Sequence, residues 1–191
     1  MRVVLTDYSG TIVLVVAILF LFALYLSWTA TRLDRLHLRL DAAKVALDAQ
    51  LVRRASVTLE LAQSGVLDPA TSLLLATAAR EARDAQDEAR DAQEEDRETA
   101  ESSLTRDLRA AFDEPEQIAH VRSTRVGPEL LDELATAAKR VQLARQFYNE
   151  SVRTVRQLRS HRLVRAFRLA GRAPDKPNFD IDDTPPDFSR K

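Results

Sequence analysis

The stretch TIVLVVAILFLFALYLSW, Thr11 to Trp28, decides the broad class of this chain. No charged residue occurs in it or in its flanks between Tyr8 and Thr31. A helix needs about 20 predominantly apolar residues to cross a bilayer. Leu, Ile, Val and Phe each favour insertion by roughly 0.3 to 0.6 kcal/mol at the helix centre. The composition therefore predicts a transmembrane helix that contacts the lipid bilayer within residues 1–31.

A cleaved secretory signal peptide is the alternative interpretation, because Arg2 precedes the apolar run. A signal peptidase needs small residues at positions −3 and −1. Here the bulky Trp28 would occupy position −3 before Ala30. We therefore expect an uncleaved anchor.

Basic residues beside the span set its expected orientation. Only Arg2 precedes the span, whereas Arg32, Arg35, Arg39 and Lys44 follow it closely. Lys and Arg are enriched on the cytoplasmic side of membrane helices. We expect the N-terminus outside and the rest of the chain in the cytoplasm.

The overall composition is typical of helices. The chain has 28 Lys+Arg against 29 Asp+Glu, four glycines and no cysteine. Near-zero net charge gives no global attraction to nucleic acid, and the lack of cysteine excludes disulfides and thiolate metal sites. We therefore predict an all-α fold and no nucleic-acid partner.

Glycine and proline predict where the helices begin and end. None occurs between Gly10 and Gly65, so one helix can continue from the membrane span. Asp68 followed by Pro69 predicts an N-cap and a first helical residue. A second helix is then expected from Ala70 to about Phe112.

A third helix is expected after Pro128, and it meets no further breaker until Gly171. The connection over residues 113–128 is long enough to include a short helical turn. The sequence thus predicts an elongated antiparallel three-helix bundle over residues 32–171.

A repeated heptad in the second helix, EARDAQD followed by EARDAQE, places small side chains on one face. This alanine seam consists of Ala78, Ala82, Ala85, Ala89 and Ala92. Such a face lets another helix approach closely. Packing within the chain is the simpler interpretation, and homo-oligomerisation through the seam is the alternative.

Residues 172–191, RAPDKPNFDIDDTPPDFSRK, are rich in proline and aspartate. A segment with so few apolar residues cannot bury enough surface to fold alone. We predict a disordered acidic tail.

Charge is segregated along the chain. Residues 81–101 contain ten acids and three arginines, whereas residues 139–172 contain ten basic residues and one acid. In the predicted bundle the acidic run faces residues 140–160, which leaves Arg162, Arg165 and Arg168 without acidic neighbours. These three arginines are candidates for docking an acidic protein partner or the tail; solvation alone and contact with nucleic acid or lipid are the other interpretations.

Nothing in the sequence indicates catalysis, a cofactor or a metal. The chain has no G-x-S-x-G turn, and its three histidines lie on different predicted elements. Catalytic turns and metal sites need such residues close together. We expect a protein that is not an enzyme.

Four stretches match, in order, the motifs of one family of membrane proteins. RLDRLHLRLDAAKVALDAQLVRR follows the span, LLLATAAREARDA opens the second helix, YNESV contains Tyr148 and Asn149, and PNFD, which contains Phe179, lies late in the chain. They resemble, respectively, the first cytoplasmic helix, the alanine-arginine segment, half of the tandem Tyr-Asn motif and the final segment of the bacterial LemA family. The resemblance covers most of the chain.

The resemblance implies a bacterial membrane protein with a cytoplasmic helical bundle and no established catalytic site. Tyr148 and Asn149 carry over as candidate interaction residues. The chain departs from the family where the second Tyr-Asn pair would stand, which is Val155-Arg156 here.

Two functions remain open on the sequence. The first is a single-pass, LemA-like protein whose bundle is an interaction or scaffold module for an unidentified protein partner. The alternative is a structural coiled-coil subunit of a cell-envelope or division complex that oligomerises through the alanine seam.

Overall fold

The computed structural model describes residues 2–88, 94–160 and 176–188. Over these ranges the chain contains helices and no strand. The helices are α1 (Arg2–Gln63), α2 (Pro69–Glu88), α3 (Glu94–Ala111), α4 (Pro115–Ser123) and α5 (Gly127–Ser160). The chain divides into two compact units. Unit 1 comprises Met1–Leu40 and Ser151–Lys176, and unit 2 comprises Asp41–Glu150 and Pro177–Lys191.

The predicted continuous first helix is confirmed, since α1 runs unbroken from Arg2 to Gln63. Gly65 follows it with a φ of 75°, a left-handed conformation that favours glycine. The Oδ1 atom of Asp68 accepts hydrogen bonds from the backbone N–H groups of Ala70 at 2.9 Å and Thr71 at 3.0 Å. This cap starts α2 at Pro69, as predicted.

The apolar part of α1 lies in unit 1 and is long and apolar enough to cross a membrane. Its large apolar side chains, including Ile12, Leu19, Phe20 and Trp28, are exposed, and 6% of the apolar window is buried within the chain. A core helix of a soluble protein buries most of such a face. The helix is therefore compatible with the predicted membrane anchor.

The predicted second helix is wrong in one respect, because it is two helices that pack against each other. α2 ends at Glu88 and α3 begins at Glu94, with residues 89–93 outside the described ranges. Folding back lets Leu104 and Leu108 of α3 be buried in the same core as Leu75 of α2. One straight helix would have separated these side chains along its length.

Contacts between α1 and α3 show that the two helices run parallel within unit 2. The contacts occur in the same order along both helices: Lys44 with Glu94, Asp48 with Arg97, and Arg54 with Glu101. Together with α2 and α5, they make four long helices that contribute described residues to the unit, where three were predicted. α4 forms the short helical turn expected between residues 113 and 128.

The core of unit 2 is built from leucine and alanine with a few aromatic residues. It includes Leu61, Leu75, Ala79, Leu104, Phe112, Ile118, Val121, Leu131 and Leu134. Ala78 and Ala82 of the alanine seam are buried in this core, and Ala85 is half-buried. Packing within the chain thus accounts for the described part of the seam.

Residues 176–188 differ from the predicted disordered tail. They have no helix or strand, yet the side chains of Phe179, Ile181 and Phe188 are buried. The composition rule assumed that the segment must bury its apolar groups by itself. Here the helices of unit 2 supply the surface for residues 177–188. The remaining tail residues, 172–175 and 189–191, lie outside the described ranges.

Candidate functional site

Residues 177–188, called the docked tail below, occupy a groove between α3 and α5. The groove side chains that bond to it are Glu98, Ser102 and Arg109 of α3, Arg122 of α4, and Gln142, Arg145, Tyr148 and Asn149 of α5. From the start to the end of the docked tail, the contacted residues of α3 have increasing residue numbers, and those of α5 have decreasing residue numbers. The tail therefore runs parallel to α3 and antiparallel to α5.

Asn149 grips the main chain of the docked tail. Its Nδ2 atom donates to the carbonyl oxygen of Phe179 at 3.0 Å, and its Oδ1 atom accepts from the N–H of the same residue at 2.8 Å. One residue earlier on α5, the Tyr148 hydroxyl donates to the carbonyl oxygen of Pro177 at 3.1 Å. These bonds involve backbone atoms, so they set position and register without selecting a side chain.

Phe179 is the best buried residue of the docked tail, with 1% of its surface exposed. The guanidinium of Arg97 lies 4.6 Å from its ring centroid, which is cation–π geometry. Arg97 is equally buried and donates to Asp48 at 2.5 Å and to Glu94 at 3.0 Å. Two carboxylates from α1 and α3 thus hold a buried positive charge beneath the aromatic ring.

Two successive aspartates of the docked tail contact arginines on opposite sides of the groove. Asp182 accepts from Arg109 of α3. Asp183 accepts from Arg145 of α5 twice, from Nε at 2.7 Å and from Nη2 at 3.1 Å. Two-point contacts between arginine and carboxylate combine charge with a fixed direction. The groove therefore contacts an acidic pair as well as an aromatic residue.

Backbone groups of the docked tail are bonded at further points. Glu98 accepts from the N–H of Asp180 at 2.8 Å, Ser102 accepts from the N–H of Asp182 at 3.2 Å, and Gln142 donates to the carbonyl of Asp183 at 2.9 Å. An extended segment has no internal ladder, so these groups need external partners when buried. The groove supplies them from two helices.

Aromatic packing holds the far end of the docked tail. The rings of Phe188 and Phe112 meet edge to face, with centroids 5.3 Å apart, and Phe188 belongs to the core of unit 2. Arg122 donates to the carbonyl oxygen of Phe188 at 3.3 Å. Each end of the docked tail is thus held by a buried aromatic ring together with a hydrogen bond to its backbone.

Two carboxyl groups in the groove have shifted pKa values. Burial raises the pKa of Glu98, and the neighbouring carboxylates of Asp180 and Glu94 add to the increase. Burial alone would raise the pKa of Asp182, but the N–H of Thr184 and the guanidinium of Arg109 together bring it below its usual value. The groove therefore stabilises the charged form of Asp182 and disfavours that of Glu98.

A second buried ion pair fixes α1 to α3 beside the groove. Arg54 donates to the Glu101 carboxylate at 2.5 Å and to the Thr105 hydroxyl at 2.9 Å, and all three side chains are buried. A buried pair of this kind makes little net contribution to stability, but losing one partner costs about 3–5 kcal/mol. The contacts of Arg54 therefore hold α3 against α1.

An open depression of about 610 Å³ lies elsewhere on unit 2. Its lining mixes Glu60, Glu129 and Glu133 with Arg83 and apolar residues such as Leu59. Glu133 is already paired with Arg53. Across the ranges that the structure describes, no group of three or more His, Asp or Glu side chains could hold a metal ion.

The sequence prediction identified part of this site. Tyr148 and Asn149 are groove residues, whereas Arg162, Arg165 and Arg168 lie outside the described residues. The described ion pairs of the acidic run join Glu94 and Glu101 to α1, and Arg145 pairs with the tail. The predicted facing of the whole run and residues 140–160 stays a prediction.

Sequence reasoning missed Arg97, Arg109 and Arg145. It considered docking of the tail only at Arg162, Arg165 and Arg168, and not in the groove between α3 and α5. A signal was present in the tail, where Phe179 and Ile181 alternate with aspartates. Alternation of this kind is typical of an extended segment with one buried face.

Comparison with known proteins found no matching family model, no matching curated protein and no matching solved structure. The resemblance to the LemA family thus stays a prediction from the short motifs.

Proposed function

We propose that this chain is a single-pass, LemA-like membrane protein of bacteria whose unit 2 is a protein-interaction module at the cytoplasmic face. The observation that carries the proposal is the groove between α3 and α5. It binds an extended segment through two buried or half-buried polar clamps, Asn149 and Arg97, and through paired charges. A surface able to bind one extended segment has the chemistry to bind another.

The kind of contact supports binding rather than catalysis. The groove offers hydrogen bonds to main-chain atoms, an aromatic site over Arg97 and arginines for carboxylates. Recognition of extended peptides combines main-chain hydrogen bonds for affinity with side-chain sites for specificity. Both parts are present here.

Membrane attachment is the second part of the proposal. The exposed apolar stretch of α1 would anchor the chain, and the basic residues after it favour a cytoplasmic unit 2. Anchoring confines the module to the bilayer surface. Self-association through the alanine seam is not included, because Ala78 and Ala82 lie in the unit's own core.

Topology and partner capture test the proposal in native membranes. Reporters that are active only inside or only outside the cell, fused after Lys191, should report a cytoplasmic C-terminus. A photo-crosslinking residue in place of Glu98, beside the docked tail, should give adducts with another protein. The same photo-crosslinking residue in place of Leu73, an exposed residue of α2, is the control and should give a lower yield of adducts. An external C-terminus, or equal adducts at both positions, would contradict the proposal.

A further inference from the structure

We propose that the groove between α3 and α5 recognises, in a partner protein, an extended segment with an aromatic residue followed three and four positions later by acidic residues. The docked tail, with Phe179, Asp182 and Asp183, is an internal occupant that such a segment replaces. The inference rests on the proposed interaction function and names the chemistry of the partner.

The register of the bound segment is set at one residue. Asn149 contacts both the N–H and the carbonyl of Phe179. Any residue can supply these two backbone groups. Asn149 therefore fixes which position lies over Arg97 without restricting its side chain.

The side chain at that position is selected by Arg97. Its guanidinium lies beneath the Phe179 ring, and its charge is already balanced by Asp48 and Glu94. A carboxylate in place of the ring would meet those two acids in a buried site, and an aliphatic side chain would lose the cation–π contact. The position therefore requires an aromatic residue.

The acidic pair is selected by two arginines from different helices. Arg109 contacts Asp182, and Arg145 contacts Asp183, so consecutive side chains that point to opposite sides of an extended chain each meet a positive charge. Neutral residues at these positions would remove the carboxylate of Arg109 and the two-point contact of Arg145, which would keep only the more distant Asp180 at 4.0 Å. The spacing between the aromatic residue and the acids follows from the extended backbone.

Two features show that the tail is an imperfect occupant. Asp180 places its carboxylate near that of Glu98, which adds to the raised pKa of Glu98. The Nε atom of Arg97 is buried and has no hydrogen-bond acceptor among the described residues. A buried donor without an acceptor weakens a site. Asp180 also lies 4.0 Å from Arg145, but its side chain is exposed and Arg145 is paired more closely with Asp183. A segment that lacks the acid at the position of Asp180 should therefore bind better than the tail itself.

Peptide binding to the full-length protein in lipid nanodiscs tests the inference. The probe is a labelled peptide with the sequence of residues 177–188, PNFDIDDTPPDF, measured by fluorescence anisotropy. Phe179→Ala in the protein's own tail should weaken the internal occupant and tighten peptide binding at least about tenfold relative to the wild type. Adding Asn149→Ala should reverse that gain.

Peptide variants separate recognition from general charge attraction. Replacing both Asp182 and Asp183 by asparagine in the peptide should weaken binding about tenfold or more. The Asp180→Asn peptide should bind more tightly than the parent. A scrambled peptide that binds as well as the parent, or an Asp180→Asn peptide that binds more weakly, would overturn the inference.

Hydrogen exchange of the wild-type chain keeps the test decisive if Phe179→Ala fails to fold. Saturating peptide should increase exchange at residues 179–183, because the internal occupant leaves the groove. Unchanged exchange with no peptide binding would refute the inference. So would dimerisation of the wild type that depends on concentration and is abolished by Phe179→Ala, since the partner would then be the tail of a second copy.

These outcomes are separable from failure of the proposed function. Peptide binding measures the chemistry of the groove, whereas photo-crosslinking at Glu98 measures whether native membranes contain a partner. Crosslinking to a protein without an aromatic-acidic segment would leave the interaction function standing and remove this inference.

Discussion

Replacing Asn149 with alanine removes both hydrogen bonds that fix Phe179 in the groove. A hydrogen bond contributes a net of about 0.5–1.5 kcal/mol, so the pair contributes about 1–3 kcal/mol to tail docking. Because 1.4 kcal/mol corresponds to a factor of ten, the docking equilibrium should weaken roughly 5- to 150-fold. α5 itself should persist, since the side chain lies on its surface.

Hydrogen exchange of the Phe179 amide measures this change directly, because that N–H donates to Asn149. Its exchange should accelerate by the same factor, while the amides of the α5 interior stay protected. Tyr148→Phe removes the bond from the hydroxyl to Pro177 and should show a smaller acceleration. Gln146→Ala, at an exposed position of the same helix, is the matched control and should change nothing. If the Phe179 amide is equally protected from exchange in the wild type and in Asn149→Ala, Asn149 does not fix the tail as described.

Other predictions concern pH, the core and helix ends. The N–H of Thr184, within the tail, and the guanidinium of Arg109 hold the pKa of Asp182 below its ordinary 3.8. The contribution of the Arg109 contact to docking is present above that pH and should be lost as pH falls through the lowered value, measured as faster exchange of the docked tail. Glu98 has the opposite sign: its raised pKa means that docking strengthens as pH falls from neutral towards 4.5, and Glu98→Gln should abolish that gain. Leu104→Ala should lower the free energy of unfolding by about 2–5 kcal/mol in denaturant titrations, because the side chain is fully buried. Gly127→Ala should destabilise the start of α5, because its Cβ would lie 1.9 Å from the Val121 carbonyl oxygen; a thermal midpoint equal to that of the wild type would contradict this.

The features predicted well from the sequence are those with local causes. The end of α1 at Gln63, shortly before Gly65, and the start of α2 after Asp68 each depend on the conformation of a few adjacent residues. The break between α2 and α3 was missed, because no glycine or proline marks residues 89–93. Acids in the first turn of α3, Glu94 to Asp96, favour a helix N-terminus there. Because residues 81–101 contain ten acids, these three acids did not stand out as a sign of a helix start.

The docked tail could not be predicted from its own composition. Phe179 and Phe188 are buried by residues that lie more than 25 positions away in the chain, such as Asn149 and Phe112. A rule about whether a segment can fold alone does not include such a surface. The importance of Asn149 was indicated only by the resemblance to LemA, and its contact with the tail came from the structure.

Measuring by crosslinking where the tail lies in the membrane-embedded chain is the most direct test of the central claim, which is that the tail occupies the groove between α3 and α5. The chain has no cysteine, so Gln142→Cys and Thr184→Cys introduce a single pair, and Leu73→Cys with Thr184→Cys gives the control. Gln142 bonds to the residue before Thr184, whereas Leu73 is an exposed residue of α2. With a short bismaleimide in native membranes, the account predicts efficient intramolecular crosslinking of the first pair, suppressed by excess peptide of residues 177–188. Equal yields from the two pairs would contradict it.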